Sequence, residues 1–245
     1  CADDADCQRL SADLRALSGE EAITLPSREF TFHNAAVVSR TWEHQRLETL
    51  WRVSQGQFSF LVAPAEAFLQ RTVPPALLTR ASRVLKMGER YDLNELAEVL
   101  AAAGYSRCDQ VEGVGQFALR GGILDFFSPA HPQPVRMEFF GDDVDSMGLF
   151  DPSTQRRTEQ LDEALILPAA EVLPQLAPGG AAGLSRALEQ RLIALARKGN
   201  APEALTVTLH QDKELLENGL SFPAVDRYLG LIYPEMATAV DYLPQ

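Results

Sequence analysis

The sequence predicts an α/β domain interrupted by an α+β insertion whose sheet is mostly antiparallel. Three observations carry that expectation. Strand-like and helix-like stretches alternate from the start to about residue 81, as in a parallel sheet. Helical periodicity vanishes between Gln110 and Phe150, where short apolar runs are separated by Gly, Pro and Asp. Helical spacing then returns after Pro168. The expected division is 1–81 for the first part of the α/β domain, 82–168 for the insertion and 169–245 for the second part.

Each element has a local reason. From Asp3 to Leu17, the residues Leu10, Leu14 and Leu17 recur at helical spacing, and Ala22 to Leu25 reads as a short buried strand. Ser39 is placed to cap a second helix carrying Trp42, Leu47, Leu50 and Trp51, which ends near Gly56. Phe58 to Ala63 has strand composition and stops at Pro64, after which Ala65 to Arg71 favours helix. The pattern breaks at Pro74 and Pro75, and Arg83 to Lys86 is the next strand. Asp92 and Glu95 have the spacing of a capping box, ahead of a helix with Leu93, Leu96, Val99, Leu100 and Ala103 on one face and a stop at Gly104. Strands are then expected at Phe117 to Arg120, Ile123 to Phe127, Val135 to Phe140 and Val144 to Phe150. After a Pro- and Gly-rich interruption, Leu184 to Lys198 is helical, and Leu205 to Leu209 fits either a strand rejoining the first sheet or part of a helix.

Composition narrows the function. An apolar share of 46% against 23% charged residues is that of a folded domain and argues against disorder. The longest apolar runs, such as Phe58 to Pro64, fall far short of the ~20 residues that cross a bilayer. The opening Cys1-Ala2-Asp3-Asp4 carries acid where a secretory signal carries base, so a cytoplasmic location is expected, with no membrane partner. The chain opens without an initiator Met and reads as a fragment of something longer. A formal charge of −12 disfavours strong nucleic-acid binding. Cys1, Cys7 and Cys108 form no CxxC pair, so neither a disulfide framework nor a zinc site is indicated.

Catalytic chemistry finds no foothold. Gly113-Val114-Gly115 and Gly121-Gly122 are flanked by strands, where hairpin turns use glycine, rather than by the strand and helix of a phosphate cradle. No GxxxxGK[ST] motif is present, His33, His44, His131 and His210 lack metal-ligand spacing, and no nucleophile motif surrounds a serine or cysteine. No cofactor is therefore assigned to this chain. The acidic run Asp142-Asp143 suits a turn better than a calcium site.

The informative stretch is Val135 to Phe140. Strand alternation puts Val135, Met137 and Phe139 on one side and Arg136, Glu138 and Phe140 on the other. An aromatic ring beside a guanidinium on a polar surface is the make-up of an interface anchor. Equally, Phe140 can end the strand at Gly141 or pack beneath the helix from Asp92 to Ala103. The same alternation turns Arg120 outward from Phe117 and Leu119. If the two strands are neighbours, Arg120 and Arg136 form a basic spot suited to a partner's carboxylates, although a solvated sheet face accounts for them too.

Several segments in order resemble the UvrA-binding domain shared by UvrB and the transcription-repair coupling factors (Mfd). They are Arg90-Tyr91-Asp92-Leu93, Gly104-Tyr105, Asp109-Gln110-Val111, Gly115-Gln116-Phe117, Arg120-Gly121-Gly122-Ile123-Leu124-Asp125, Arg136-Met137-Glu138-Phe139-Phe140-Gly141-Asp142 and Phe150-Asp151. Ser39 to Trp51 and Gln155-Arg156-Arg157 look more like the Mfd branch than like UvrB. The resemblance is strongest over residues 83–168 and fades after about Val172. It implies a UvrB-like, degenerate helicase-type α/β domain interrupted by a UvrA-binding domain, with UvrA as the partner. The family's contact residues match Arg120, Arg136 and Phe140 here. It further implies an ATP-driven motor elsewhere in a longer protein, so this chain is not expected to be an enzyme, and other domains of that protein are candidates for masking the UvrA-binding face. The alternatives are a fragment of a UvrB-type DNA-repair helicase and an autoinhibitory structural segment.

Overall fold

The chain enters α1 (Asp4–Ser18) at Asp3, whose carboxylate accepts the Asp6 amide hydrogen, and leaves it at Gly19, where φ is 74°. The computed structural model describes residues 1–28, 41–199, 202–220 and 224–244. In α1 the inward face is Cys7, Ser11 and Leu14; the expected stripe of Leu10, Leu14 and Leu17 is wrong at its ends, for Leu10 and Leu17 are exposed. A buried serine is tolerated because its hydroxyl donates to the Ala22 carbonyl at 2.8 Å. That contact seats the helix on β1 (Ala22–Thr24). α2 (Thr41–Ser54) buries Leu47, Leu50 and Val53 at helical spacing. The cap expected at Ser39, and His33, lie outside the described residues.

β2 (Phe60–Val62) pairs with β1 in parallel. Among the described residues the expected parallel sheet is this two-stranded pair and no wider. α3 (Ala65–Leu69) and β3 (Arg71–Thr72) lead to α4 (Pro75–Ala81), whose proline stands in the first turn, where a missing N–H costs no helical hydrogen bond.

The next stretch builds the main core. β4 (Arg83–Lys86) precedes α5 (Leu93–Ala102), capped by Asp92, whose side chain accepts from the Asn94 and Glu95 amides. Glu95 does not complete the capping box; its carboxylate is drawn to Arg83 at 2.9 Å. There follow β5 (Ser106–Arg107), β6 (Gln116–Arg120), β7 (Ile123–Phe126), β8 (Val135–Phe140), β9 (Asp143–Phe150), β10 (Arg157–Gln160) and β11 (Glu163–Ile166). Six of these strands form one sheet in the order β10-β9-β8-β7-β6-β5, antiparallel except between β5 and β6. β11 pairs with β4. Gly121 and Gly122 make the two-residue turn between β6 and β7, with Gly121 at φ 58°. One face of the sheet, including Phe117, Leu124, Phe126 and Met137, packs with Leu96 and Leu100 of α5. Burying such side chains contributes about 1.5–3 kcal/mol each, which fixes which sheet face is left for solvent.

Beyond Glu171 come α6 (Gly180–Lys198), α7 (Glu203–Glu217) and α8 (Leu229–Ile232). Leu205 to Leu209 belongs to α7, which corrects the strand alternative: Leu209, Asp212 and Leu216 are buried at helical spacing, and Asp212 is satisfied there by the Tyr228 hydroxyl at 2.6 Å. β12 (Ala237–Thr238) then returns to pair antiparallel with β3. The described residues fall into two compact units, 1–28 with 41–171 and 237–244, and 172–199 with 202–220 and 224–236.

The first unit contains a fully buried ionic group. Glu171 accepts from the Arg46 Nε at 3.0 Å, pairs with Arg28 and accepts the Thr72 hydroxyl. Burial alone would raise its pKa, but Arg28 and Arg46 outweigh it, helped by the hydrogen bonds from Arg46 and Thr72, and hold the carboxyl at about 2.

A candidate protein-interaction face on the six-stranded sheet

β7 lies between β6 and β8, so the strands of Arg120 and Arg136 are not direct neighbours as the basic spot required, and the two side chains meet across β7. Leu124 and Phe126 turn into the core, so Asp125, between them in β7, must point to the opposite face. It lies across from Ala118 on one side and Arg136 on the other. Asp125 is only 1% exposed yet carries three charge-assisted hydrogen bonds. Arg136 grips it with both prongs, Nε to Oδ1 and Nη2 to Oδ2 at 2.7 Å each, and Arg120 donates to Oδ2 at 2.7 Å. The two arginines are thus brought together through one carboxylate, and the cluster keeps a net positive charge.

They are not equivalent. The Arg120 side chain is 48% exposed, whereas that of Arg136 is 18% exposed. The Arg136 guanidinium stacks on the Phe150 ring, 4.3 Å from its centroid, and its Nη2 also donates to the Gln155 side-chain oxygen at 2.8 Å. The hydrogen bonds to Asp125 push its pKa up, so it stays charged at every working pH. Phe140 closes the row at 80% exposure. It stands roughly 13 Å along β8 from Arg136, beyond Glu138, by the rise of a strand. Phe139 packs on the core side, so the alternation places Phe140 outward, and the reading in which it packs beneath α5 is set aside.

Other charges frame the row. Arg157 of β10 bridges to Glu138 at 3.1 Å and to the Ser146 hydroxyl at 2.7 Å. It can cross β9 because Gly148 has no side chain there: a Cβ would meet Arg157 and lie 2.3 Å from the Glu159 carbonyl oxygen. A pocket lined by Arg107, Cys108, Asp109 and Leu119 opens beside Arg120. Asp142 and Asp143 pair with Arg90 in the turn that follows Phe140. Among the described residues no group of three His, Cys, Asp or Glu is placed to hold a metal ion, and no helix is long and apolar enough to cross a membrane.

Asp125 and Gln155 are the residues that sequence reasoning passed over. Both stand in segments quoted for the resemblance, and β7 alternation alone would have put Asp125 on the arginine face. Nothing in the sequence marks Gln155 as the cover of Arg136.

Residues 84–171 match the UvrB interaction domain family. The matched segment contains β5 to β10, with Arg120, Asp125, Arg136 and Phe140. Over its wider length the chain is 32% identical to the transcription-repair-coupling factor of Bacillus subtilis (strain 168), across 97% of this chain and 20% of that protein. It is 31% identical to the factor of Myxococcus xanthus, across 98% of this chain and 20% of that protein. It is also 29% identical to UvrABC system protein B of Thermotoga neapolitana, across 83% of this chain and 31% of that protein. The chain spans about a fifth of the length of the coupling factors it matches.

Proposed function

We propose that the chain is a protein-interaction module that binds UvrA, and that in a longer protein it links a stalled RNA polymerase to nucleotide excision repair. The observation that carries this reading is the coincidence of the match to the UvrB interaction domain with a preorganised sheet face that bears Arg120, Arg136 and Phe140. An exposed ring and a guanidinium held by a buried carboxylate give a partner contact area at little entropic cost. The excess positive charge on a chain of formal charge −12 suits carboxylates on that partner.

The same reading assigns no catalytic residue and no cofactor to the chain; ATP-driven movement along DNA belongs to the remainder of the longer protein, of which this is an N-terminal, cytoplasmic part. It divides the chain into a UvrB-like α/β region at 1–81 and 169–245 around a UvrA-binding domain at 82–168. The return of β12 to β3 supports the joining of the outer two segments.

The test is a titration of purified UvrA against the chain and its Arg120→Glu variant, with circular dichroism on both. Arg120 is preferred to Arg136 because its half-exposed head can be reversed without leaving a covered charge. Binding by the native chain and its loss in the folded variant is the expected result. Equal binding by both removes Arg120 from the interface, and no binding by either leaves UvrA without support as the partner.

A further inference from the structure

Gln155 is the one non-glycine residue with positive φ among the described residues, at 60°. Side chains other than glycine take this left-handed conformation at a cost, and asparagine and aspartate do so more readily than glutamine. The turn around it is self-contained. Asp151 accepts from the Ser153 and Thr154 amides at 2.8 Å each, and the Gln155 amide returns to the Asp151 carbonyl at 2.8 Å. The Gln155 side-chain amide is anchored on the Pro152 carbonyl at 2.8 Å. What the conformation delivers is a pair of acceptors over Arg136: the side-chain oxygen for Nη2 at 2.8 Å and the backbone carbonyl for Nη1 at 3.4 Å.

A count of donors shows the consequence. A guanidinium has five N–H groups. Arg136 spends two on Asp125 and two on Gln155, and its remaining surface lies on Phe150. Arg120 spends one, on Asp125. We infer that Gln155 is a positioning residue of the recognition face: by closing the turn over Arg136 it fixes the Asp125 carboxylate and, through it, Arg120, whose unused fork takes the partner's carboxylate. Arg136 ties the turn to the carboxylate, and Arg120 reaches out from it on the face that Phe140 shares. This division of labour rests on the proposed UvrA-binding reading for its partner, and on the geometry alone for its positioning.

The experiment replaces Gln155 by Gly and, separately, by Glu in the full chain. Glycine adopts φ 60° freely, so the turn keeps its backbone while the side-chain acceptor is lost; glutamate keeps an acceptor in place. The side-chain Nε–Hε signals of Arg120 and Arg136 are followed by heteronuclear NOE without any partner, and UvrA affinity is then titrated. With Gln155→Gly, both arginines should lose order, UvrA binding should weaken roughly five- to tenfold, and the loss should disappear when Arg120→Ala is already present. Gln155→Glu should retain the order. Unchanged NOEs in Gln155→Gly overturn the inference, as does UvrA binding within about twofold of the native chain or an undiminished effect beside Arg120→Ala. If the native chain binds no UvrA, the functional reading fails and the NOEs still decide the positioning.

Discussion

Replacing Asp125 by alanine should separate what holds the recognition face together from what it presents. The carboxylate receives three hydrogen bonds of 2.7 Å from two guanidinium groups. Removing one member of a buried ion pair costs about 3–5 kcal/mol, because the remaining charge is left uncompensated. Arg120 is half-exposed and regains water, so its share falls to about 1 kcal/mol or less. Arg136 is mostly covered and keeps only Gln155 as a polar partner, which puts the total near the lower end, about 3 kcal/mol. Urea unfolding of the native chain, Asp125→Ala and Arg120→Ala measures this directly, with an unchanged m-value confirming that the same surface is exposed. The expected order is a large loss for Asp125→Ala and about 1 kcal/mol or less for Arg120→Ala. A cost below about 1 kcal/mol for Asp125→Ala, or equal costs for the two variants, would refute the picture of a buried carboxylate organising two unequal arginines.

Three further outcomes follow from other parts of the molecule. Glu171 titrates at about 2 in the folded chain against 4.5 ordinarily, so its contribution is present above the ordinary value and is lost as pH falls from about 4.5 towards 2; the gap corresponds to on the order of 3 kcal/mol. Urea midpoints between pH 6 and pH 3 should therefore fall less steeply in Glu171→Gln than in the native chain, from a lower starting stability, and parallel curves would count against the assignment. Gly148→Ala would set a methyl 2.3 Å from the Glu159 carbonyl oxygen and should lower stability by about 1–3 kcal/mol, read as a drop in thermal midpoint, whereas an unaltered midpoint would mean that β10 shifts freely. Phe140→Ala should leave stability within about 0.5 kcal/mol because the ring is already in water, yet weaken UvrA binding by at least about fivefold; the reverse pattern would make Phe140 a packing residue.

The antiparallel sheet and the outward row were readable because strand alternation is a strictly local signal. Val135 to Phe140 put Phe139 and Phe140 on opposite faces without any knowledge of β7 or β9, and only the exposure of Phe140 decided against its packing beneath α5. Helical spacing misled in α1, where three leucines mark a plausible stripe but the buried face runs through Cys7 and Ser11. A polar residue can be inside when a carbonyl such as that of Ala22 awaits it, and that carbonyl is supplied by another segment. Leu205 to Leu209 was ambiguous for a related reason: five residues of mixed β-branched and leucine side chains fit either period, and only the burial of Asp212 and Leu216 further along selects the helix. Arg120 and Arg136 were each legible as outward, but their pairing was not, because it depends on a third residue 11 positions before Arg136 and on a turn 19 positions after it. The expected parallel sheet rested on alternation of element types, which says nothing about how many strands pair.

Thr72 is where the chain's two long excursions are tied off. Its hydroxyl donates to Glu171, the last residue of the matched domain, and its backbone position is the partner of Ala237 in β12. Departure at 171 and return at 237 therefore converge on one threonine, so the 65 residues between them, 172–236, are closed into a loop by contacts that already belong to the first unit. The entropy of closing such a loop grows only with the logarithm of its length, about 0.6 kcal/mol for each doubling. A segment inserted under those terms can lengthen, shorten or exchange its helices while the ends stay stitched, leaving its sequence far freer to drift than that of the sheet bearing Arg120 and Phe140.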